Sequence, residues 1–150
     1  MLAGGARRFL VLTRINLVPV DELTDQHLFA EYRELPRILT NVRQLIDKDK
    51  SVDDIHIPNV FTFGKGHMTF FYNKLVFLKR RHEELITELF DRGVYHLSIY
   101  DSINISEIPE EWCGDYEPEV RDIRLSRERL LDKIWLRTDF YRYRGISLRG

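Results

Sequence analysis

A chain of 150 residues with 23 Lys and Arg against 24 Asp and Glu, a formal net charge of −1 and one cysteine is long enough for one domain with a real core, and its overall charge does not mark it as a nucleic-acid binder. The lone Cys113 excludes an intramolecular disulfide and a thiolate metal site, and His82-Glu83-Glu84 lacks the second histidine of a metalloprotease helix, so no metal or other cofactor is expected. No apolar run approaches a membrane span, and Arg14 and Asn16 interrupt the opening apolar run before it is long enough for a signal peptide, which leaves a cytoplasmic protein with no membrane partner as the expectation.

Residues 1–12 are unpatterned and read as a loose extension. Residues 21–35 read as a helix, with Asp21 near its positive end. Pro36 has no N–H to donate, so the helix kinks, breaks or restarts there, and a second helical pattern runs on through Ile46 to the polar run 47–51. Residues 52–66 carry Pro58, Gly64 and Gly66 with aromatics between them, which suits a loop packed on the core; Gly64-Lys65-Gly66 does not make a nucleotide phosphate loop, because no suitable strand precedes it. The clearest helix is 67–92, where Met68, Phe71, Leu75, Leu78, Leu85 and Leu89 recur at 3/4 spacing, Lys74, Arg80, Arg81 and Glu84 take other faces, and Gly93 stands just past the end. A connection with Pro109, Gly114 and Pro118 follows, and Ser126 then precedes the run RERLLDKIWLR, in which Leu130, Leu131, Ile134 and Trp135 can face a core. The expected fold is all-α: one compact domain of three main helices with ordered loops.

Charge is segregated along the chain. Residues 65–81 hold five bases and no acid, 101–119 seven acids and no base, and 121–149 nine bases against four acids. A nearly neutral protein can therefore still present one basic face.

On the first helix Leu28, Tyr32, Leu35 and Leu39 form one apolar stripe. Gln26, Ala30, Arg33 and Arg37 repeat the same spacing two residues out of step, roughly 200° round the helix. His27 and Glu34 flank this second stripe, which leaves a polar face of Gln26, His27, Arg33, Glu34 and Arg37 around the small Ala30. An ordinary solvated helix face with Glu34 paired to its neighbouring arginines would look the same, and such pairs contribute little.

Sequence context favours a more specific reading. TRINL, ELxDQHLxAEYRELPR, GHxTFFYxKLxFL, GDY, and a C-terminal RLxxKI with an aromatic and basic end together strongly resemble the pyrimidine-dimer DNA glycosylases, the T-even phage endonuclease V family, over about residues 13–145. The resemblance implies a small all-α enzyme of bacterial or viral origin, nucleoid-associated and monomeric, whose N-terminal segment threads between helices. Its partner would be double-stranded DNA carrying ultraviolet-induced cyclobutane pyrimidine dimers or abasic sites. By the same resemblance Thr13, exposed as the mature N-terminus, attacks the anomeric carbon of the 5′ nucleotide of the dimer, and the resulting imine leads to strand cleavage by β-elimination. Glu34 maps onto the catalytic carboxylate, Arg14, Arg33 and Arg37 onto phosphate-holding positions, Gln26 and His27 onto residues lining the site, and Arg129 and Lys133 onto a second phosphate-contacting patch. In such enzymes the extruded base is the adenine opposite the lesion; a dimer is already poorly stacked, so distorting the duplex costs less there. The tail departs from the phage-type pattern in starting with Phe140 rather than tryptophan, and Tyr141 and Tyr143 either stack on bases or pack against the protein.

The residue types suit the chemistry. An α-amino group has a reference pKa of about 7.7–8.0, against about 10.4 for lysine, so a useful fraction is free base at neutral pH. A carboxylate can stabilise the developing cation and take the proton in elimination. Twelve residues nevertheless precede Thr13 in this sequence, and an internal threonine has only a peptide nitrogen. Three readings are open: translation starting at the Leu12 codon with removal of the initiator methionine, proteolytic removal of residues 1–12, or a retained extension. On the first two, residues 13–150 are the glycosylase domain. On the third the chain is a non-catalytic binder of distorted or ultraviolet-damaged DNA.

Overall fold

The computed structural model describes residues 13–149, so the expected extension 1–12 lies outside the described residues. Four helices of ten residues or more carry the described fold: α1 Asp25–Glu34, α2 Pro36–Asp47, α4 Leu75–Asp91 and α5 Val120–Leu136, with a one-turn helix α3 at His67–Phe70. A C-terminal hairpin pairs β1 Arg142–Tyr143 with β2 Ile146–Ser147, Tyr143 facing Ile146. The all-α class holds. No helix among the described residues is long and apolar enough to cross a membrane.

Two helix boundaries differ from the sequence expectation, and at Pro36 the structure selects one of the expected outcomes. Asp21 lies in a separate 3-10 turn, Val20–Glu22; α1 starts at Asp25 because the Thr24 hydroxyl accepts from His27 N and satisfies one of the free N–H groups of the first turn. Pro36 is the first residue of α2, where its missing N–H costs nothing, so the helix restarts rather than bends. The expected helix 67–92 is broken between Phe70 and Leu75. There the segment around Gly114 crosses it, with Gly114 N donating to Asn73 O (3.0 Å) and Val76 N to Gly114 O (3.1 Å). A Cβ on Gly114 would sit 2.5 Å from Asn73 O, so only glycine permits the crossing.

Both ends of α4 and α5 that could be read from sequence have a clear cause or a correction. Gly93, at φ +99°, closes α4 by bonding Phe90 O at 3.0 Å while Val94 N bonds Leu89 O at 3.0 Å. Helix α5 begins six residues ahead of Ser126, at a reciprocal cap between Glu119 and Asp122. Ser126 is therefore inside the helix and buried. Of the residues expected to face the core from this helix, Leu130 does, whereas Leu131 and Trp135 are exposed, Trp135 at 77%: the helix packs through Asp122, Ser126 and Leu130 at intervals of four, which turns Leu131 and Trp135 outward.

The core gathers Leu28, Leu35, Ile38, Phe61, Phe71, Leu75, Leu78, Leu85 and Trp112. Through it runs the extended N-terminal segment, with Thr13, Ile15, Asn16, Leu17 and Val18 all buried. The acidic connection is packed on α4, its Asp115 paired with Arg80 at 2.6 Å.

Candidate functional site

An extended segment inside a helical protein has no ladder to take its backbone polar groups, so side chains must do it. Three successive amides of the N-terminal segment each donate to a different element: Ile15 N to His67 Nε2 on α3 (2.9 Å), Asn16 N to Glu31 Oε1 on α1 (3.2 Å), and Leu17 N to Ser126 Oγ on α5 (2.8 Å). The Val18 carbonyl accepts from Arg81 Nη1 on α4 at 2.6 Å. Four helices thus fix the position of one strand.

Glu31 and Arg81 are the centre of this arrangement. Arg81 meets the Glu31 carboxylate with two donors, Nε to Oε2 at 2.7 Å and Nη2 to Oε1 at 3.2 Å, and Asn16 Nδ2 adds a third at 3.0 Å. Their side chains are 0% and 5% exposed. Sequence reading set Arg81 on an outer face and passed over Glu31. The signal was present: Glu31 lies three after Leu28 and four before Leu35, and Arg81 three after Leu78 and four before Leu85. A charge on the apolar stripe of each of two helices implies a buried pair. Removing one partner strands the other charge in the core, which costs about 3–5 kcal/mol. Arg81→Met is expected to lower stability to urea by that amount, and Glu31→Gln by a comparable one; a loss under about 1 kcal/mol for both would show that the pair does not hold the segment.

His67 has Nδ1–H donating to Thr62 O (2.7 Å), which leaves Nε2 as the acceptor for Ile15. Burial, then the charges of Arg14 and Arg129, lower its pKa to about 4, against the opposing bond to Thr62. It stays neutral at physiological pH, as an acceptor must. Its ring stacks on Phe63 at 4.8 Å, and the Arg129 guanidinium lies over Phe63 at 4.9 Å.

Of the residues singled out from sequence, Thr13 and Glu34 meet. Thr13 Oγ1 donates to the Glu34 carbonyl at 3.0 Å, and the Glu34 carboxylate, at the end of α1, faces Arg33 at 3.7 Å and Arg37 at 4.0 Å. Arg14 follows directly, with Nη1 3.4 Å from Thr13 O and Nε buried without a partner. Arg129 and Lys133 both act on His27 electrostatically; burial first, then these two charges, lower the His27 pKa to about 4. Burial and then the Arg14 charge lower that of Arg129 itself. Among the described residues Arg14, Arg129 and Lys133 form no ion pair. Arg33 and Arg37 are thus paired with the Glu34 carboxylate, while Arg14, Arg129 and Lys133 have no acidic partner among the described residues, a charge balance suited to a polyanion.

Gln26 and His27 are engaged by the C-terminal segment. Gln26 donates to Phe140 O (2.8 Å) and accepts from Arg142 N (3.0 Å), while His27 stacks on Tyr141 at 4.6 Å and takes the Thr24 hydroxyl on Nδ1 at 2.8 Å. Tyr143 packs under Arg92 at 4.7 Å with its hydroxyl on Asp21 O at 2.8 Å, so of the two alternatives for that tyrosine, packing holds. The hairpin is pinned at its tip, where Asp25 accepts from Arg144 N (2.9 Å) and Gly145 N (2.8 Å). Burial works against the charge of Asp25, but the bonds from Gly145, Arg92 and Arg144 hold its pKa below the ordinary value.

A family model described as pyrimidine dimer DNA glycosylase matches residues 12–100. The matched span contains Thr13, Arg14, Gln26, His27, Arg33, Glu34 and Arg37 and ends before Arg129 and Lys133.

Proposed function

Because the chain belongs to the pyrimidine dimer DNA glycosylase family, we propose that it excises cyclobutane pyrimidine dimers and then cuts the strand as an abasic-site lyase, with the α-amino nitrogen of Thr13 as nucleophile and Glu34 as the catalytic carboxylate. The observation that carries this reading is the juxtaposition of the two residues, Thr13 Oγ1 bonded to the Glu34 carbonyl at 3.0 Å, at the end of a segment held by four helices.

On this reading a free Thr13 amine attacks C1′ of the 5′ nucleotide of the dimer, the glycosylic bond breaks toward the base, and positive charge builds on the sugar. Glu34, whose side chain is largely buried, stabilises that charge in a partly dry site, where it acts more strongly than in water. Ring opening leaves a protonated imine. Glu34 then takes the acidified 2′ proton, and the electron pair expels the 3′ phosphate by β-elimination. Arg14, Arg33, Arg37, Arg129 and Lys133 hold the backbone phosphates that flank the lesion. Gln26 and His27, already fixed by the tail, line the site, with Tyr141 behind the imidazole ring.

Partners on this reading are dimer-containing and abasic-site duplexes, bound by a monomer without a cofactor. The full chain, with a peptide nitrogen at Thr13, is a binder of the same DNA without lyase action. The test is incision of a duplex carrying a single dimer by protein that begins at Thr13, beside an undamaged duplex of the same sequence. Incision confined to the dimer, with an unsaturated-aldehyde 3′ end, is the expected outcome. Equal attack on both duplexes, or none on either, would end the proposal.

A further inference from the structure

A cavity of about 510 Å³ lies beside Arg14 and is lined by Phe63, Gly64, Lys65, Gly66, His67 and Tyr72. None of its lining residues is acidic, and among the described residues neither Arg14 nor Lys65 forms an ion pair. The Arg14 side chain contributes to the wall, and its Nε, beneath the surface, has no hydrogen-bond partner. The wall is held in shape by Gly66, which takes φ +94° and whose Cβ would lie 2.9 Å from Pro58 Cγ. Gly64 N is occupied by Thr62 Oγ1 and Gly64 O by His67 N, but no hydrogen bond among the described residues takes the amide of Lys65 or Gly66. Lys65 itself is exposed.

A guanidinium in the wall, an ammonium, two backbone N–H groups without a partner among the described residues and no carboxylate make a site for an anion that arrives from solvent. Because Arg14 also touches the Thr13 carbonyl, that anion sits next to the reacting nucleotide. On the reading under Proposed function, we propose that this cavity is a further backbone-phosphate site, in which Lys65 and the 64–66 turn hold a phosphodiester of the DNA beside the lesion. The site extends the contact surface across Arg14 from the α1 arginines and past the Phe63 ring on which Arg129 rests. The strand is then gripped on both flanks of Thr13. Lys65 belongs to a motif that no strand among the described residues precedes, which excludes a nucleotide phosphate loop; its place is on a polymer phosphate instead.

The experiment measures equilibrium binding of the full chain to a duplex with a reduced, uncleavable abasic-site analogue as salt is raised. One fewer phosphate contact reduces the slope of log Kobs against log salt by about 0.9, so Lys65→Ala should show that reduction and Lys65→Arg should not. Methylphosphonates placed one at a time along the strand then locate the contact. One position should weaken wild-type binding and leave the Lys65→Ala protein indifferent. An unchanged slope in Lys65→Ala, or the absence of any such position, overturns the proposal. The slope is equally readable on undamaged duplex, so failure of the Lys65 contact and failure of dimer excision are separate results.

Discussion

Borohydride trapping on abasic-site DNA is expected to give a covalent adduct with protein that begins at Thr13 and none with the full 150-residue chain. The difference is all-or-none because it rests on bond type. An amide nitrogen has its lone pair delocalised into the carbonyl and cannot condense to an imine, whereas an α-amine with a pKa near 8 is about one-tenth free base at pH 7. Lysines do not substitute, since their ordinary pKa lies well above that range. The adduct forms only if the nitrogen is held in place, and Thr13 is held twice: by its own hydroxyl on Glu34 O and by the Ile15 amide on His67. Equal trapping by the full chain would remove Thr13 as nucleophile and leave the family assignment standing.

Glu34→Gln, in protein that begins at Thr13, should retain dimer binding and lose strand cleavage by about two to four orders of magnitude. Glutamine keeps the size of the side chain and loses both its charge and its basicity. The sign of the binding effect is also set by the site. Arg33 and Arg37 lie 3.7 and 4.0 Å from the carboxylate, and removing it leaves them uncompensated toward phosphate, so affinity should be unchanged or higher. Single-turnover cleavage and anisotropy titration on the same duplex separate the two effects. Full cleavage by Glu34→Gln would take the carboxylate out of the mechanism, and a parallel loss of binding would make it structural.

The two residues of that reaction were legible in the sequence in different ways. Helical spacing alone set Glu34 among Gln26, His27, Arg33 and Arg37 on one polar face, and the arginines do stand around it. Thr13 stood out only through resemblance, because nothing in the local pattern of an extended segment says what it will touch. The residues that hold it were missed for the same reason. His67 and Ser126 are 52 and 109 positions from their partners Ile15 and Leu17, beyond any periodicity, whereas the place of Arg81 on the apolar stripe of its helix did carry a signal.

Local chemistry determined where chain elements begin and end: Thr24, Pro36 and Gly93 act on neighbours a few residues away, and that is the range over which sequence pattern carries information. The same range determined the all-α class, the apolar stripe of α1 and the segregation of charge into acidic and basic stretches. Tertiary structure alone decided the rest. It broke the long helix where Gly114 crosses Asn73, and turned Trp135 outward and Ser126 inward. It also brought Thr13 to the Glu34 carbonyl, with Arg14 beside it. These outcomes depend on which surfaces exclude water together, and that is settled only when the whole chain has packed.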